Sequence, residues 1–323
     1  MMFGLRACAT MVMGVALAVG VAAGPAAGQP QAGAPGPLPV PFDLGAGILP
    51  AGLFPEQAPP GANDWDCKPT AAHPNPVILV NPTATSQAIA WQAGAPYLKN
   101  NGYCVFTFNY GNMAWLPGEI PTQALGDIRT SAQQLAEVVQ RVRAATGVDK
   151  VDLVGHSQGG GILAFYYLNV LGGFDKVDKM VGISPSNHGT TLNEIAYLRS
   201  FIPPVGRWIY DRIGDIAPAL IQQAIGEGIA EQVYGGGDTR PGVTYTTLVS
   251  KYDEVVTPFD QQYLSGPNVT NILLQDGCAD DRSEHLSTMY SERVWRFVLN
   301  ALSPATATPV PCFPVSPFFP GVR

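Results

Sequence analysis

Val151-Asp152-Leu153-Val154-Gly155-His156-Ser157-Gln158-Gly159-Gly160-Gly161 is the stretch that decides how this chain is read. Val151 to Val154 form a strand pattern, and Gly159 to Leu171 a helix pattern stopped by Gly172-Gly173. The junction carries Gly155-x-Ser157-x-Gly159. A serine there occupies a sharp strand-to-helix turn with strained backbone. Residues two before and two after it crowd together, and glycine at both places removes the clash a Cβ would make. The start of the helix also aims free N–H groups at the spot where negative charge would develop. A chain with 36 glycines can match this pattern by chance. Its position between strand and helix, and its continuation by Gly160 and Gly161, make Ser157 the candidate nucleophile and Gly155 and Gly159 its elbow glycines.

Outward from this junction, strand and helix patterns alternate. Val77-Ile78-Leu79-Val80 is a short apolar run of the kind buried on both faces of a sheet. Tyr103 to Phe108 is a second strand, rich in aromatic and β-branched residues. Between them, Ser86 to Asn100 predicts a helix interrupted by Pro96. Ile128, Ala132, Leu135, Val139 and Val142 recur at spacings of three and four, which predicts an amphipathic helix stopped at Gly147. Lys179–Ser184, Val243–Ser250 and Asn271–Leu274 predict further strands, and Arg293–Leu302 a closing helix. This order implies an α/β fold, with a mostly parallel central sheet covered by helices on both faces. Residues 190–236 are longer than a simple crossover needs. They carry Trp208, Ile209, Ile213, Ile216, Leu220, Ile221, Ile225 and Ile229, punctuated by prolines. Two or three short helices are expected there, either packing the back of the sheet or forming a cap-like insertion over Ser157.

The ends read differently. Arg6, the apolar stretch Met11–Ala23 and the small residues after it predict a signal peptide over 1–28, too short for a membrane span. A Pro/Gly-rich segment follows at 29–62. The catalytic domain is expected over 63–323, with a Pro-rich tail at 304–323. Removing the signal takes away Cys8 and leaves four cysteines, an even count that suits an exported, secreted chain with two disulfides. Three pairings are open to four cysteines. Cys67–Cys104 and Cys278–Cys312 are expected, because each joins near neighbours and ties an end to the core. No close C-x-x-C pair marks a zinc site, and no metal is expected in the reaction. The net charge of −7, with no Lys/Arg cluster, argues against nucleic acid as a partner.

Val154 to Gly160 resembles the elbow of secreted bacterial lipases in the α/β-hydrolase superfamily. Ser184-Pro185-Ser186-Asn187-His188-Gly189-Thr190 is similar to a narrower segment of actinobacterial-type triacylglycerol lipases and esterases. The resemblance covers roughly residues 70–302. It implies a serine hydrolase that cleaves the carboxylic ester bonds of ester or lipid substrates, with an oil–water interface as one setting, without a cofactor. In that fold the triad follows in the order Ser, Asp or Glu, His. His285 lies after the last strand and is the expected base. His188 comes too early, and His156 sits inside the elbow, so both read as structural; His73 gives no signal. The resemblance also puts the acid in the turn Asp253-Glu254-Val255-Val256, at the carboxyl end of a late strand. Asp276, Asp280 and Asp281 read as a solvated loop cluster. For the oxyanion hole, the backbone N–H of Gln158 is one expected donor. The second belongs to the loop after the first strand, where relatives often carry His-Gly. This chain has Asn81-Pro82-Thr83, and since Pro82 has no N–H the expected donor is Thr83. A secreted acyltransferase on the same triad, and a non-catalytic binding protein on a hydrolase scaffold, are the alternatives.

Overall fold

In a computed structural model of the chain, the described residues are 36–47, 53–114, 121–192, 194–197, 200 and 204–318. The expected signal peptide and the start of the Pro/Gly-rich segment lie outside them, as do Phe201, Ile202 and the last five residues of the tail. Residues from Pro37 onward make up one compact unit.

The order along the chain is β1 (Val77–Val80), α1 (Gln87–Ala90), α2 (Gly94–Asn100), β2 (Val105–Thr107), β3 (Met113–Ala114), β4 (Pro121–Thr122), α3 (Ile128–Thr146) and β5 (Val151–His156). Then follow α4 (Ile162–Phe165), β6 (Val177–Ile183), α5 (Val205–Ile216), α6 (Pro218–Gln222), α7 (Gly228–Tyr234), β7 (Thr244–Val249), β8 (Val269–Leu273) and α8 (Glu292–Leu302). Six strands form one sheet in the order β2-β1-β5-β6-β7-β8, every pair parallel, and β3 and β4 make a separate antiparallel pair.

The residues explain this layering. All four residues of β1 are fully buried, yet they divide between two cores by strict alternation. Ile78 and Val80 pack with α3, α4 and Val233 of α7 on one face; Val77 and Leu79 pack with Trp91, Leu98 and Trp295 on the other. Helix α3 presents its expected stripe, Ile128, Ala132, Leu135, Val139 and Val142, entirely to the first core. Asp127 caps its start, accepting from the N–H of Arg129 (2.8 Å) and Thr130 (3.3 Å), and Gly147 ends it at φ +78°. The helical region after β1 breaks at Trp91–Ala93 rather than at Pro96, which falls in the first turn of α2, where its missing N–H has no intrahelical role.

Two stretches depart from expectation. The helix after the elbow is composite: a 3₁₀ turn over Ser157–Gly159, then α4, then a π turn over Tyr166–Val170. In the 190–236 region, α5 buries only Gly206 and Tyr210, while Trp208, Ile209 and Ile216 stay exposed. Its buried side meets Ala196, Ala224 and Ile221. Helix α7 instead sends Ile229 and Val233 into the core beneath the sheet.

Both disulfides are the expected ones. Cys67–Cys104 ties the segment ahead of β1 to the entry of β2, and Cys278–Cys312 ties the tail to the loop after β8. Closing loops of 37 and 34 residues stabilises each by about 3–4 kcal/mol in the chain-entropy model. The second staple sits beside a correction to the sequence reading. Asp281 is not a solvated loop residue but fully buried, paired with the guanidinium of Arg293, which is itself 2% exposed. Asp281 Oδ1 accepts from the N–H (2.9 Å) and hydroxyl (2.5 Å) of Ser283; Arg293 donates to Leu274 O (2.9 Å) and Pro311 O (3.1 Å). A carboxylate buried in this way is held by its cation, and losing it leaves a buried charge. Asp281→Asn is therefore expected to destabilise by about 3 kcal/mol or more, whereas Asp280→Asn, at an exposed position, leaves stability unchanged. Urea denaturation of the two variants checks this; equal midpoints would contradict the assignment.

Candidate active site

The carboxyl ends of β1, β5 and β7, with the loop after β8, converge on one place. Ser157 follows β5 directly and has φ +54°, a left-handed conformation that is strained for a non-glycine residue. The elbow glycines admit this turn. A Cβ on Gly155 would collide with the Gly159 carbonyl, as expected from spacing. A Cβ on Gly159 would instead strike the carbonyls of Val80 and Asn81, so this glycine is required by close approach to the end of β1. The Ser186 N–H donates to Ser157 O (3.1 Å), which ties the elbow to the loop after β6.

Asp253 stands four residues beyond β7, at 6% exposure. Its Oδ1 accepts from the N–H groups of Val255 (2.9 Å) and Val256 (2.8 Å). Its Oδ2 accepts from His285 Nδ1 (2.8 Å) and from Gln262 Nε2 (2.9 Å). Because His285 Nδ1 carries the proton in that bond, Nε2 is left as the basic nitrogen. Ser157 and His285 line the same cavity. The sequence-named Ser157, Asp253 and His285 are thus brought to one site, while Asp276, Asp280 and Asp281 make no hydrogen bond to His285 among the described residues.

Beneath His285 lies His156, fully buried. Its Nε2 donates to the His285 carbonyl (2.8 Å) and lies 3.1 Å from Thr288 Oγ1, and the two rings meet edge-on at 4.7 Å. Burial, then the nearby His285, hold its pKa well below the ordinary histidine value, so it stays neutral and supports the His285 loop from below.

On the other side of Ser157, a polar lattice joins the two loops that carry the expected oxyanion donors. Gln158 Oε1 accepts from Thr83 Oγ1 (3.2 Å) and Gln223 Nε2 (2.8 Å). Gln158 Nε2 donates to Tyr110 OH (3.2 Å), and Tyr110 OH donates to Asn81 O (2.5 Å). Gln223 also donates to Thr83 Oγ1 (2.9 Å) and accepts from Ser186 Oγ (2.8 Å). Thr83 and Gln158 are thereby fixed in relation to each other, the condition preorganised donors require. Sequence reading did not single out Gln223 or Gln262. Their partners lie up to 140 residues away, and the only local signal is glutamine in apolar surroundings, which must find partners once buried.

The cavity at Ser157 has a volume of about 190 Å³. Thr83, Ala84, Thr190 and Gln223 border it, with an apolar wall that includes Leu192, Leu220, Val255, Val256 and Leu286. Among the described residues no group of three or more His, Cys, Asp or Glu is placed to hold a metal ion.

A family model described as the alpha/beta hydrolase fold matches residues 75–204, the part holding β1, the elbow and the loop after β6. The chain has the α/β-hydrolase fold. Lipase B of Pseudozyma antarctica is 25% identical over 192 residues, which cover 56% of this chain and 51% of that protein. The chain thus spans about half the length of that curated relative. Among solved structures, Aspergillus fumigatus lipase B superposes with a TM-score of 0.54 at 23% identity, covering 86% of this chain and 64% of that one. Bacillus licheniformis lipase BlEst2 in its mature form gives 0.53 at 19% identity, covering 73% and 94%.

The electrostatics of this α/β-hydrolase site set its pH response. Burial pulls the pKa of His285 down; the Asp253 carboxylate, by charge and hydrogen bond, then Glu284 and Glu254, outweigh it and raise the pKa above 6.5. Partial burial and the neighbouring Glu284 carboxylate push Glu254 up to about 7. An imidazole takes up a proton only when neutral, so a reaction using His285 as base would slow as pH drops through its raised pKa. The rate of Ser157 labelling by a fluorophosphonate is expected to have an acid limb centred above pH 6.5. Glu254→Gln, which removes one of the negative charges, should move that limb to lower pH. A limb that stays put in Glu254→Gln would break the coupling.

Proposed function

We propose that this chain is a carboxylic-ester hydrolase of the lipase/esterase kind, exported from the cell, with Ser157, His285 and Asp253 as its triad. The observation that carries the reading is the convergence of a left-handed elbow serine and a buried Asp253–His285 pair on one largely apolar cavity. The similarity to proteins named lipases, and the two disulfides, support it. The signal-like start and the Asn187-His188-Gly189-Thr190 segment favour a secreted lipase of the actinobacterial type.

In this reading Ser157 Oγ attacks the ester carbonyl while His285 Nε2 takes its proton. The oxyanion that forms is held by the backbone N–H groups of Thr83 and Gln158. Asp253 keeps the imidazole in its tautomer and stabilises the imidazolium. His285 then protonates the departing alcohol, leaving an acyl group on Ser157. Water, activated by His285, attacks that acyl-enzyme and releases the acid. The cavity takes the acyl chain. Its apolar wall suits an aliphatic acyl chain.

Ser157→Ala is expected to fold normally and lose about four to six orders of magnitude in ester hydrolysis. Asp253→Asn should lose about four, through the wrong imidazole tautomer. Retained activity in purified Ser157→Ala would refute the reading. Chain length is probed best at Leu220, which lines the cavity, rather than at Ile216, which is 45% exposed and does not. Leu220→Trp should shift the preferred p-nitrophenyl ester towards acetate; an unaltered profile from acetate to octanoate would place the acyl chain elsewhere.

A further inference from the structure

The Asn187–Thr191 segment, distinctive in the sequence, is not consumed by the chemistry above. It runs beside the loop that carries Asp253 and grips it at successive points. Thr190 Oγ1 donates to Val255 O (2.6 Å) and accepts from the Thr257 N–H (3.0 Å). The Thr191 N–H donates to Thr257 O (2.8 Å), and the two threonine hydroxyls meet at 2.6 Å. His188 Nδ1 donates to Gln261 O (3.1 Å), and Asn187 Nδ2 donates to Gln262 O (2.5 Å). The gripped loop begins with Asp253 and ends with Gln262, and these two side chains bond to each other.

We infer that Gln262 is a positioning residue for the Asp253–His285 pair, and that the Asn187–Thr191 segment is the template holding it there. The inference rests on the reading of Asp253 and His285 as acid and base. Gln262 is fully buried, and its Nε2 donates both to Asp253 Oδ2, the same oxygen that receives His285 Nδ1, and to Val256 O (3.2 Å). Its Oε1 is buried without a hydrogen-bond partner. The opposite amide orientation would aim that oxygen at a carboxylate and a carbonyl, so the chemistry admits only the donor orientation. Two donors on one oxygen fix the carboxylate in the plane that His285 needs.

The template is itself anchored. Asn187 Oδ1 accepts from Tyr234 OH (3.1 Å). His188 Nε2 lies 3.0 Å from Asp238 Oδ1, and Asp238 Oδ2 accepts from the Ser265 N–H (2.7 Å) and hydroxyl (3.1 Å). With an acceptor on each ring nitrogen, His188 serves this clamp as an imidazolium donating from both. Burial alone would lower its pKa, but Asp238 and the Gln261 carbonyl raise it, in agreement.

The test compares wild type, Gln262→Leu, His188→Gln and Ser157→Ala, using p-nitrophenyl butyrate across pH, thermal unfolding, and fluorophosphonate labelling of Ser157. Gln262→Leu is expected to lower kcat about ten- to a hundredfold, the scale of a lost hydrogen bond to a charged group, with KM changed less than twofold. Its acid limb should move to higher pH, because a carboxylate relieved of one donor attracts imidazolium more strongly. The charged groups facing His285 are Asp253, Glu254 and Glu284, and His156 below it is neutral; the glutamates are the same in wild type and Gln262→Leu, so the displacement between the two reports the change at the pair. His188→Gln, at a partly exposed position, should show the same displacement with a smaller loss, and decides the matter if Gln262→Leu does not fold. Unchanged kcat and limb in the folded variants, or a loss accounted for by lowered Tm with the limb in place, overturns the inference. An inactive Ser157→Ala beside a silent Gln262→Leu sinks the positioning role alone. An active Ser157→Ala sinks the hydrolase reading beneath it.

Discussion

A carboxylate side chain with no solvent exposure must find a donor for each lone pair it needs to satisfy, and this requirement at Asp253 organises the site. It has four: two backbone N–H groups from its own loop, one imidazole and one amide. Each places a demand on a different piece of chain. The backbone pair fixes the turn after β7. The imidazole requires the loop after β8 to reach across. The amide requires residue 262 to fold back, which the loop after β6 secures. Water could have supplied these bonds at an exposed site, with far less constraint on geometry.

The parallel sheet makes such convergence possible. Parallel strands place all their carboxyl ends on one edge, so the loops after β1, β5, β6, β7 and β8 emerge as neighbours although the residues they carry are far apart in sequence. The elbow adds a second constraint at the same edge. Gly159 packs backbone-to-backbone against the end of β1, Gly160 against Gly155 and Gly182 of β6, and Gly155 against Gly159 and Gly160, so the left-handed Ser157 is set by contacts around it rather than by its own preference. The Gln158–Gln223–Thr83 lattice then connects the elbow to the loop after β1. Its members are neutral donors and acceptors, and they fill the space behind the expected oxyanion position without introducing a competing charge.

What the sequence disclosed follows from which of these constraints are local. The four-residue apolar run of β1, the stripe of α3 and the Gly-x-Ser-x-Gly turn are short-range patterns, and each occurs where its spacing implies. Ser157, Asp253 and His285 each follow a strand, so their meeting at one edge of the sheet was to be expected from the chain. Asp281 was misread because its partner, Arg293, sits twelve residues on, in the first turn of α8, and a buried ion pair looks from sequence like two surface charges. The exposure of Trp208 and Ile216 was also hidden, since helical spacing identifies a common face but not whether anything covers it. Gln223 and Gln262 have only a weak local signature, for their roles are defined by partners brought to them by the fold.

Behind the His285 loop, the tail contributes a layer of support that links covalent and ionic restraint to His285. Glu284 accepts from the N–H groups of Leu286 (2.8 Å) and Ser287 (2.7 Å), and from Phe318 of the tail (3.1 Å). The Arg293–Asp281 pair and the Cys278–Cys312 disulfide hold that tail and the start of the His285 loop against α8. His285 is therefore fixed from three sides: by Asp253 through its ring, by His156 through its carbonyl, and by the tail through Glu284. None of these three contacts belongs to the apolar clusters on either face of the sheet. The same interactions thus serve the stability of the fold and the placing of His285: opening Cys278–Cys312 would withdraw the stabilisation of about 3–4 kcal/mol that the staple gives and loosen the tail behind Glu284 at once, while the two cores, one on each face of the sheet, keep their own contacts.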